Sequence, residues 1–293
     1  MSVLTAVRAR RRARPGERPP GGLDRTPFSY VVLTLLGLFA LLPVLVLVVN
    51  AFKTSLEIGT NPLGLPTSID LSNFAEAWRR GNMAQGFVNT AFLVAGTIVG
   101  TWLFAGAAAY SLARLNLPWK RGLETYFFVV ISLPVQMFIV PLFFLWVKLG
   151  LINTLFGLVV IYVALNTPFS VLLLRTFLVG IPRQLDEAAR LDGANEWQIA
   201  TRVIMPLSWP GFLTVGLVSG LGAYSELLFA VTFLIDVDKM PVATSFLSFS
   251  TGYTQFYNLV NAAGVIIVLP LIVLFLFMQR RFITGLAASG SKG

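Results

Sequence analysis

The sequence predicts an all-α integral membrane protein with about six transmembrane helices. Hydrophobic residues make up 56% of the 293 residues and charged residues only 12%, roughly half the charged fraction of a water-soluble protein. Long apolar stretches recur along the chain, and each is long enough to cross a bilayer as a helix. A membrane β-barrel would show short alternating segments instead. The remaining length leaves no room for a separate soluble catalytic domain.

Six apolar stretches define the predicted spans. They are 27–52, 87–113, 125–147, 149–174, 205–225 and 259–278, the fifth continuing past Glu226 to 235. Only Lys148 and its neighbours separate spans three and four, so these two spans should form a tight hairpin. The first stretch is too long for the apolar region of a signal peptide, and no small-residue cleavage site follows it. It is therefore expected to be a retained span.

Lysine and arginine are distributed asymmetrically among the segments between spans. With the N-terminus in the cytoplasm, seventeen of the 22 Lys and Arg residues fall in cytoplasmic segments and five in outer ones, as the positive-inside rule requires. Both termini are therefore expected in the cytoplasm, with 53–86 and 236–258 outside. The net charge of +9 follows from these cytoplasmic segments, and no nucleic-acid partner is expected.

The same pattern divides the chain into three parts. They are a basic, disordered cytoplasmic tail (1–26), a transmembrane domain (27–279) and a cytoplasmic C-terminal tail (280–293). Cysteine and histidine are both absent, which excludes thiolate and imidazole catalysis and the metal sites built on those groups. No phosphate-binding loop of the Gly-x4-Gly-Lys-Ser/Thr type occurs either. No catalytic residue and no metal site is predicted, and the chain is not expected to be an enzyme.

The cytoplasmic loop between spans four and five, 176–205, is the most informative segment. Pro182 suits the first turn of a helix, and the pair Asp192-Gly193 predicts its end, because Gly tolerates a left-handed conformation. Asn195 and Gln198, spaced three apart, predict a capping box at the start of a second helix.

The first helix of this loop is amphipathic. Residues of opposite charge spaced four apart can pair on its surface: Arg183 with Glu187, and Asp186 with Arg190. Two amphipathic helices lying on the membrane surface are one interpretation. The small residues Ala188 and Ala189, flanked by charges, favour close docking against another protein.

This loop resembles the EAA motif of ABC importer permeases. The matching residues are Glu187-Ala188-Ala189, Gly193 and Val203-Ile204-Met205-Pro206, with Met205 where the family has Leu. Further segments are similar to the carbohydrate-uptake subfamily, in particular to its maltose-type smaller permease: 89–90, 109–114, 134–141, 150–154, 285–288 and 292–293.

The resemblance implies a division of labour among several proteins. The loop would be a coupling helix seated on a cytoplasmic ATPase, with the coupling residues Asp186, Glu187, Ala188, Ala189, Asp192, Gly193, Trp197 and Pro206. The implied partners are a second homologous permease, two copies of the ATPase subunit and an extracytoplasmic solute-binding protein. ATP would bind to the ATPase subunits, and this chain would need no cofactor. The two permeases would form a pathway for a sugar or oligosaccharide in the lipid of the cell inner (cytoplasmic) membrane.

Four polar residues in or beside the spans are candidates for lining a translocation path: Gln136, Asn166, Tyr224 and Glu226. Glu226 is an acid within an apolar run, which by itself suggests a functional residue. The family has Trp-Asn-Glu where this chain has Tyr224-Ser225-Glu226. Lining of the path and an interhelix hydrogen bond or salt bridge are equally open for Glu226, whereas packing between helices is favoured for Gln136 and Asn166.

A self-sufficient secondary transporter or channel for a small polar solute is the alternative function. Such a protein is expected to carry protonatable residues in several spans, and often an internal repeat. The sequence shows one intramembrane acid and no convincing repeat, so the importer subunit is favoured. A membrane-surface scaffold would leave the proline-containing spans unexplained.

Overall fold

The structure, a computed structural model, describes residues 27–251 and 254–290. The predicted disordered tail, 1–26, lies outside these residues, as do positions 291–293 of the predicted C-terminal tail. The chain divides after Val46 into two units, and the packing described below is that of the second, Leu47–Gly293.

The described residues are almost entirely helical, which confirms the predicted all-α class. The α-helices are α1 (Pro27–Asn50), α2 (Ser55–Thr60), α3 (Ser72–Arg80), α4 (Met83–Arg114), α5 (Lys120–Ser132), α6 (Ile139–Lys148), α7 (Leu155–Val179), α8 (Gln184–Leu191), α9 (Glu196–Gln198), α10 (Met205–Leu207), α11 (Trp209–Ser225), α12 (Leu228–Phe233) and α13 (Tyr257–Gly290). Short 3-10 helices cover Val135–Phe138, Val237–Lys239 and Val242–Phe249, and Ile199–Ile204 is π-helical. The strands β1 (Ser250–Thr251) and β2 (Thr254–Gln255) form one small antiparallel hairpin.

Four described helices are long and apolar enough to cross a membrane by themselves: α1, α4, α7 and the Tyr257–Phe277 part of α13. Two further candidates are pairs of helices joined at a bend, of 87° between Lys120–Ser132 and Val135–Lys148, and of 76° between Glu196–Leu207 and Trp209–Ser225. The count reaches the predicted six if each bent pair is one span.

Two predicted spans differ from the structure in a way that their prolines and polar residues explain. Span three is not one helix over 125–147, since it breaks at Leu133 and Pro134, where proline removes a backbone donor and restricts the residue before it. The predicted continuation of span five to 235 is wrong as a single helix, because α11 ends at Ser225 and Glu226 has an extended backbone. A separate short helix, α12, follows.

Helix α4 lies at the centre of the packing and contacts α7 and α11 along its length. Its glycines allow close approach of the neighbouring helix: a Cβ at Gly96 would lie 3.0 Å from Val159, and one at Gly100 would lie 2.5 Å from Val163. The Trp102 indole also donates a hydrogen bond to a carbonyl of α11 at 2.8 Å.

Buried side chains gather at both ends of α4. At its C-terminal end, residues of α4, α7, α11 and the segment 199–204 form one apolar cluster. At its N-terminal end, Met83 packs with Val242, Phe249 and the start of α13. The first cluster holds the 176–205 loop, and the second holds the segment that follows α12.

Candidate functional site

The 176–205 loop begins with the amphipathic helix α8. Asp186 and Glu187 lie in its first turn and Arg190 in its last, an arrangement that complements the helix macrodipole. The helix ends where the sequence predicts, because Gly193 adopts a left-handed backbone with φ of +84°. The Ala194 amide then donates to the Ala189 carbonyl at 3.0 Å, which satisfies a carbonyl at the helix end.

The second half of the loop begins with the predicted capping box, which is confirmed. The Asn195 side chain accepts a hydrogen bond from the Gln198 amide at 2.9 Å, and the Gln198 side chain accepts one from the Asn195 amide at 2.9 Å. The chain continues through the π-helical segment to Pro206, which lies exposed in the first turn of α10.

A buried ion pair fixes α8 against the end of α4. Asp186 lies 3.3 Å from Arg114, and the two side chains are 7% and 2% exposed. Arg114 also donates to the carbonyls of Leu178 at 2.8 Å and Ile181 at 3.0 Å. The predicted surface pair of Asp186 with Arg190 is therefore wrong, and Asp186 faces the interior, where loss of one partner would leave a buried charge unpaired.

A second link joins the loop to α4 through Glu196. Arg190 donates two hydrogen bonds to one oxygen of Glu196, at 2.9 and 2.7 Å. The Tyr110 hydroxyl of α4 donates to the other oxygen at 3.2 Å. The hydrogen bonds and charge of Glu196 raise the pKa of Arg190, and the pair joins the two halves of the loop.

The exposed face of the loop carries six of the eight predicted coupling residues: Glu187, Ala188, Asp192, Gly193, Trp197 and Pro206. Trp197 is 73% exposed, and Ala189 is half-buried. Among the described residues Glu187 makes no ion pair, so the predicted pair with Arg183 is wrong too.

Leu191 is the residue of this face that the prediction missed. It is 89% exposed, although an apolar residue on an amphipathic helix is normally assigned to the buried side. Its position beside the Asp192-Gly193 stop was the available signal, because a residue at a helix end can project beyond the buried face. Leu191 and Trp197 are exposed apolar side chains on the loop that also exposes the acid Glu187, a combination suited to burial against another protein.

The Glu226 and Tyr162 side chains meet near the break between α11 and α12, and Asn166 lies one turn further along α7. Glu226 accepts hydrogen bonds from the Phe229 amide at 3.0 Å, the Ala230 amide at 3.2 Å and the Tyr162 hydroxyl at 3.0 Å. Asn166 donates to the Tyr162 carbonyl at 2.8 Å. Glu226 thus caps α12 and bonds to α7.

The other two path candidates lie apart from this cluster. The Tyr224 hydroxyl donates to the Ile267 carbonyl of α13 at 2.7 Å, and its side chain lines an apolar cavity of about 390 Å³ between α4, α11 and α13. Gln136 is exposed in the 3-10 helix after the break of span three. The four candidates therefore do not form one site. Within the described part of the chain, no group of three or more acidic side chains is placed to hold a metal ion.

A bundle of apolar helices with bent spans and an anchored, polar loop at one end defines a multi-pass membrane protein. The family described as "Binding-protein-dependent transport system inner membrane component" matches residues 103–287, and the chain belongs to this family. It is a membrane-embedded component of a transport system, not an enzyme. The predicted membership of the ABC importer permeases is confirmed.

Individual relatives match along most of their length. The diacetylchitobiose uptake system permease NgcG of Streptomyces coelicolor is 31% identical over 267 residues, which cover 90% of this chain and 87% of that protein. The arabinooligosaccharides transport system permease AraQ of Halalkalibacterium halodurans is 28% identical, over 88% and 93% of the two chains. The crystal structure of a bacterial ABC transporter involved in the import of the acidic polysaccharide alginate shares the fold, with a TM-score of 0.75, 22% identity, and coverage of 87% and 95%.

Proposed function

We propose that this chain is one of two permease subunits of an ATP-driven importer, and that the two permeases together form the pathway for a sugar or oligosaccharide. Similar proteins carry names that refer to diacetylchitobiose, arabinooligosaccharides and melibiose, raffinose or stachyose. This chain matches at least 83% of the length of each of these relatives, so the similarity extends over most of each permease.

The geometry of the 176–205 loop, called the coupling loop from here on, is the observation that carries this proposal. Its inner face is fixed to α4 by the buried Asp186–Arg114 pair and by Glu196, while its outer face presents Glu187, Leu191 and Trp197 to a partner. A loop whose inner face is fixed to a long helix, and whose outer face exposes apolar and acidic groups, is suited to receive force from another subunit.

The remaining partners follow from this arrangement. Two copies of a cytoplasmic ATPase would bind ATP and contact the loops of the two permeases, and this chain would bind no cofactor. The excess of Lys and Arg around the loop supports its cytoplasmic placement, with both termini on the same side. An extracytoplasmic solute-binding protein would then deliver the solute to the opposite, outer face.

The proposal is tested by purification in mild detergent followed by transport measurements in proteoliposomes. We expect a second permease, an ATPase and a binding protein to copurify with the chain. Uptake of one member of a panel of diacetylchitobiose, an arabinooligosaccharide and melibiose should then require ATP inside the vesicles or at the ATPase face. Uptake by the chain alone, driven by an ion gradient without ATP, would establish the secondary transporter instead.

The Glu187→Lys variant tests the coupling loop itself. Since Glu187 has no ion pair among the described residues, its substitution should leave the fold intact. A lysine there would oppose the basic groups of a partner that recognises the acid, and such like-charge contacts cost several kcal/mol across an interface. We expect loss of the copurifying ATPase with normal membrane insertion, and a smaller loss in Glu187→Gln, which removes the charge alone. Normal ATPase recovery with Glu187→Lys would contradict this role for the loop.

A further inference from the structure

Helix α4 is the least interrupted of the candidate spans. It runs for 32 residues, from Met83 to Arg114, without an internal proline or a break. Among the other described candidates, α1, α7 and α13 contain Pro43, Pro168 and Pro270. Span three is bent by 87°, and α11 has only 17 residues. Proline removes a helical hydrogen bond and kinks the helix, so α4 is expected to be the stiffest of them.

The glycines of α4 do not weaken this conclusion. Gly96 and Gly100 face the valine side chains of α7, and Gly106 faces Phe212 of α11, with a Cβ at each position lying 3.0 Å or less from these neighbours. Side chains of the two adjacent helices therefore fill the gaps that the glycines leave, and they support α4 from both sides.

The N-terminal end of α4 holds the segment that follows α12. The Asn89 side chain, which is 3% exposed, donates to the carbonyls of Asp238 at 2.8 Å and Met240 at 2.9 Å. The Thr90 hydroxyl accepts a hydrogen bond from the Val242 amide at 2.9 Å. Buried hydrogen bonds of this kind cost free energy when they are broken without replacement, so segment 238–242 is tied to α4.

The C-terminal end of α4 holds the coupling loop in the same manner. Tyr110 donates to Glu196, and Arg114 binds Asp186 and two backbone carbonyls at the end of α7. The twenty residues from Thr90 to Tyr110 correspond to about 30 Å of helix, which equals the thickness of the hydrocarbon core. The two sets of contacts therefore lie at opposite membrane surfaces when α4 spans the bilayer.

We propose that α4 is a strut that links segment 238–242 mechanically to the coupling loop, with Asn89 and Thr90 as positioning residues at one end and Tyr110 and Arg114 at the other. This inference rests on the proposed function, in which the coupling loop meets the ATPase and the binding protein docks on the outer face, where segment 238–242 is predicted to lie. A continuous series of contacts and one stiff element is the kind of connection that can carry coupling between distant sites. Movement of the loop on nucleotide binding would shift segment 238–242 in turn.

A cysteine introduced into this Cys-free chain can report such a shift. Val237 is 67% exposed and precedes Asp238, so the Val237→Cys chain in complex with its second permease and ATPase subunits is the parent for the test. The rate of modification by a membrane-impermeant maleimide is measured with and without a nonhydrolysable ATP analogue. We expect the analogue to change this rate in the parent.

The strut variants should diminish that response. Tyr110→Phe removes one hydroxyl at the loop end, and Thr90→Val removes one at the other end. Each should reduce the nucleotide-induced change in rate by roughly two- to tenfold, the factor that corresponds to one hydrogen bond. The double variant should lose little more than the larger single effect, because both act on one connection. Thr90→Ser, which keeps the hydroxyl, should respond as the parent does.

Two variants serve as matched controls. The Ser111 and Thr214 hydroxyls each donate only to a carbonyl of their own helix, so Ser111→Ala and Thr214→Val should keep the full response.

Three outcomes overturn the proposal. In the first, the strut variants lower the yield of complex but retain the parent's response per assembled complex. In the second, the reduction in the double variant equals the product of the two single reductions. A parent complex that holds the ATPase yet shows no nucleotide response also overturns it. Failure of the ATPase to copurify would count against the proposed function instead.

Discussion

At the scale of single residues, Glu226 shows how an acid is accommodated within an apolar sequence. Its carboxylate accepts hydrogen bonds from two amides at the start of α12 and from the Tyr162 hydroxyl of α7. These bonds explain why α11 ends at Ser225, because the side chain stabilises the start of a new helix there. The sequence leaves two roles open for Glu226, lining of the path and an interhelix hydrogen bond, and these bonds support the second.

The Glu226→Gln and Tyr162→Phe variants test this role. Each should lower the free energy of unfolding of the assembled complex by about 1–3 kcal/mol, the range for hydrogen bonds to a charged group or for stranded donors. The double variant should lose less than the sum, since the first change weakens and the second removes the same bond. Thermal unfolding and uptake per assembled complex are measured together. Altered solute affinity at unchanged stability would make Glu226 part of the translocation path instead.

Some features of the coupling loop can be predicted from the sequence, and others cannot. The Gly193 stop and the Asn195–Gln198 capping box depend on neighbours within a few positions, so the sequence predicts both. The partner of Asp186 lies 72 positions away at Arg114, and spacing within one helix points to Arg190 instead. Pairing across such a distance depends on how α4 and α7 pack, which no local pattern specifies.

At the scale of helices, the same limit applies to the bends. Apolar length predicts that a segment crosses the membrane, and it identifies α4, α7 and α13 well. It does not distinguish a straight span from two helices at 87°, because both are equally apolar. Pro134 indicates a possible break, yet Pro168 lies inside the continuous helix α7. Packing against neighbouring helices decides which proline breaks a span.

The contact between α4 and α7 depends on the absence of a side chain at Gly100. A Cβ there would lie 2.5 Å from a methyl group of Val163, so Gly100→Ala should destabilise the protein by about 1–3 kcal/mol through overpacking. The added Val163→Ala change should recover part of this loss. Gly122→Ala in α5 is the control, since its Cβ would meet no atom within 4 Å. Thermal unfolding in detergent measures the three variants, and equal stability of Gly100→Ala and Gly122→Ala would contradict close packing here.

At the scale of the whole molecule, the orientation of the chain gives the two ends of the bundle their separate roles. The asymmetry of Lys and Arg predicts that the coupling loop and both termini face the cytoplasm. Segments 53–86 and 236–258 would then face outward, and there α3 contacts α13. The prediction concerns accessibility, so it can be tested without knowledge of the solute or of the partner subunits.

Single cysteines placed at Leu191 and Val237 test this orientation directly, because the chain has no cysteine of its own. Both positions are well exposed, at 89% and 67%, so local burial does not limit their reaction. In intact cells a membrane-impermeant maleimide should modify the cysteine at position 237 and leave that at 191 unmodified. After permeabilisation both cysteines should react. Because a bound ATPase could shield position 191, the permeabilised membranes are also stripped of peripheral proteins as a control. Modification at 191 but not at 237 in intact cells would invert the topology and place the proposed coupling loop on the wrong side of the membrane for a cytoplasmic ATPase.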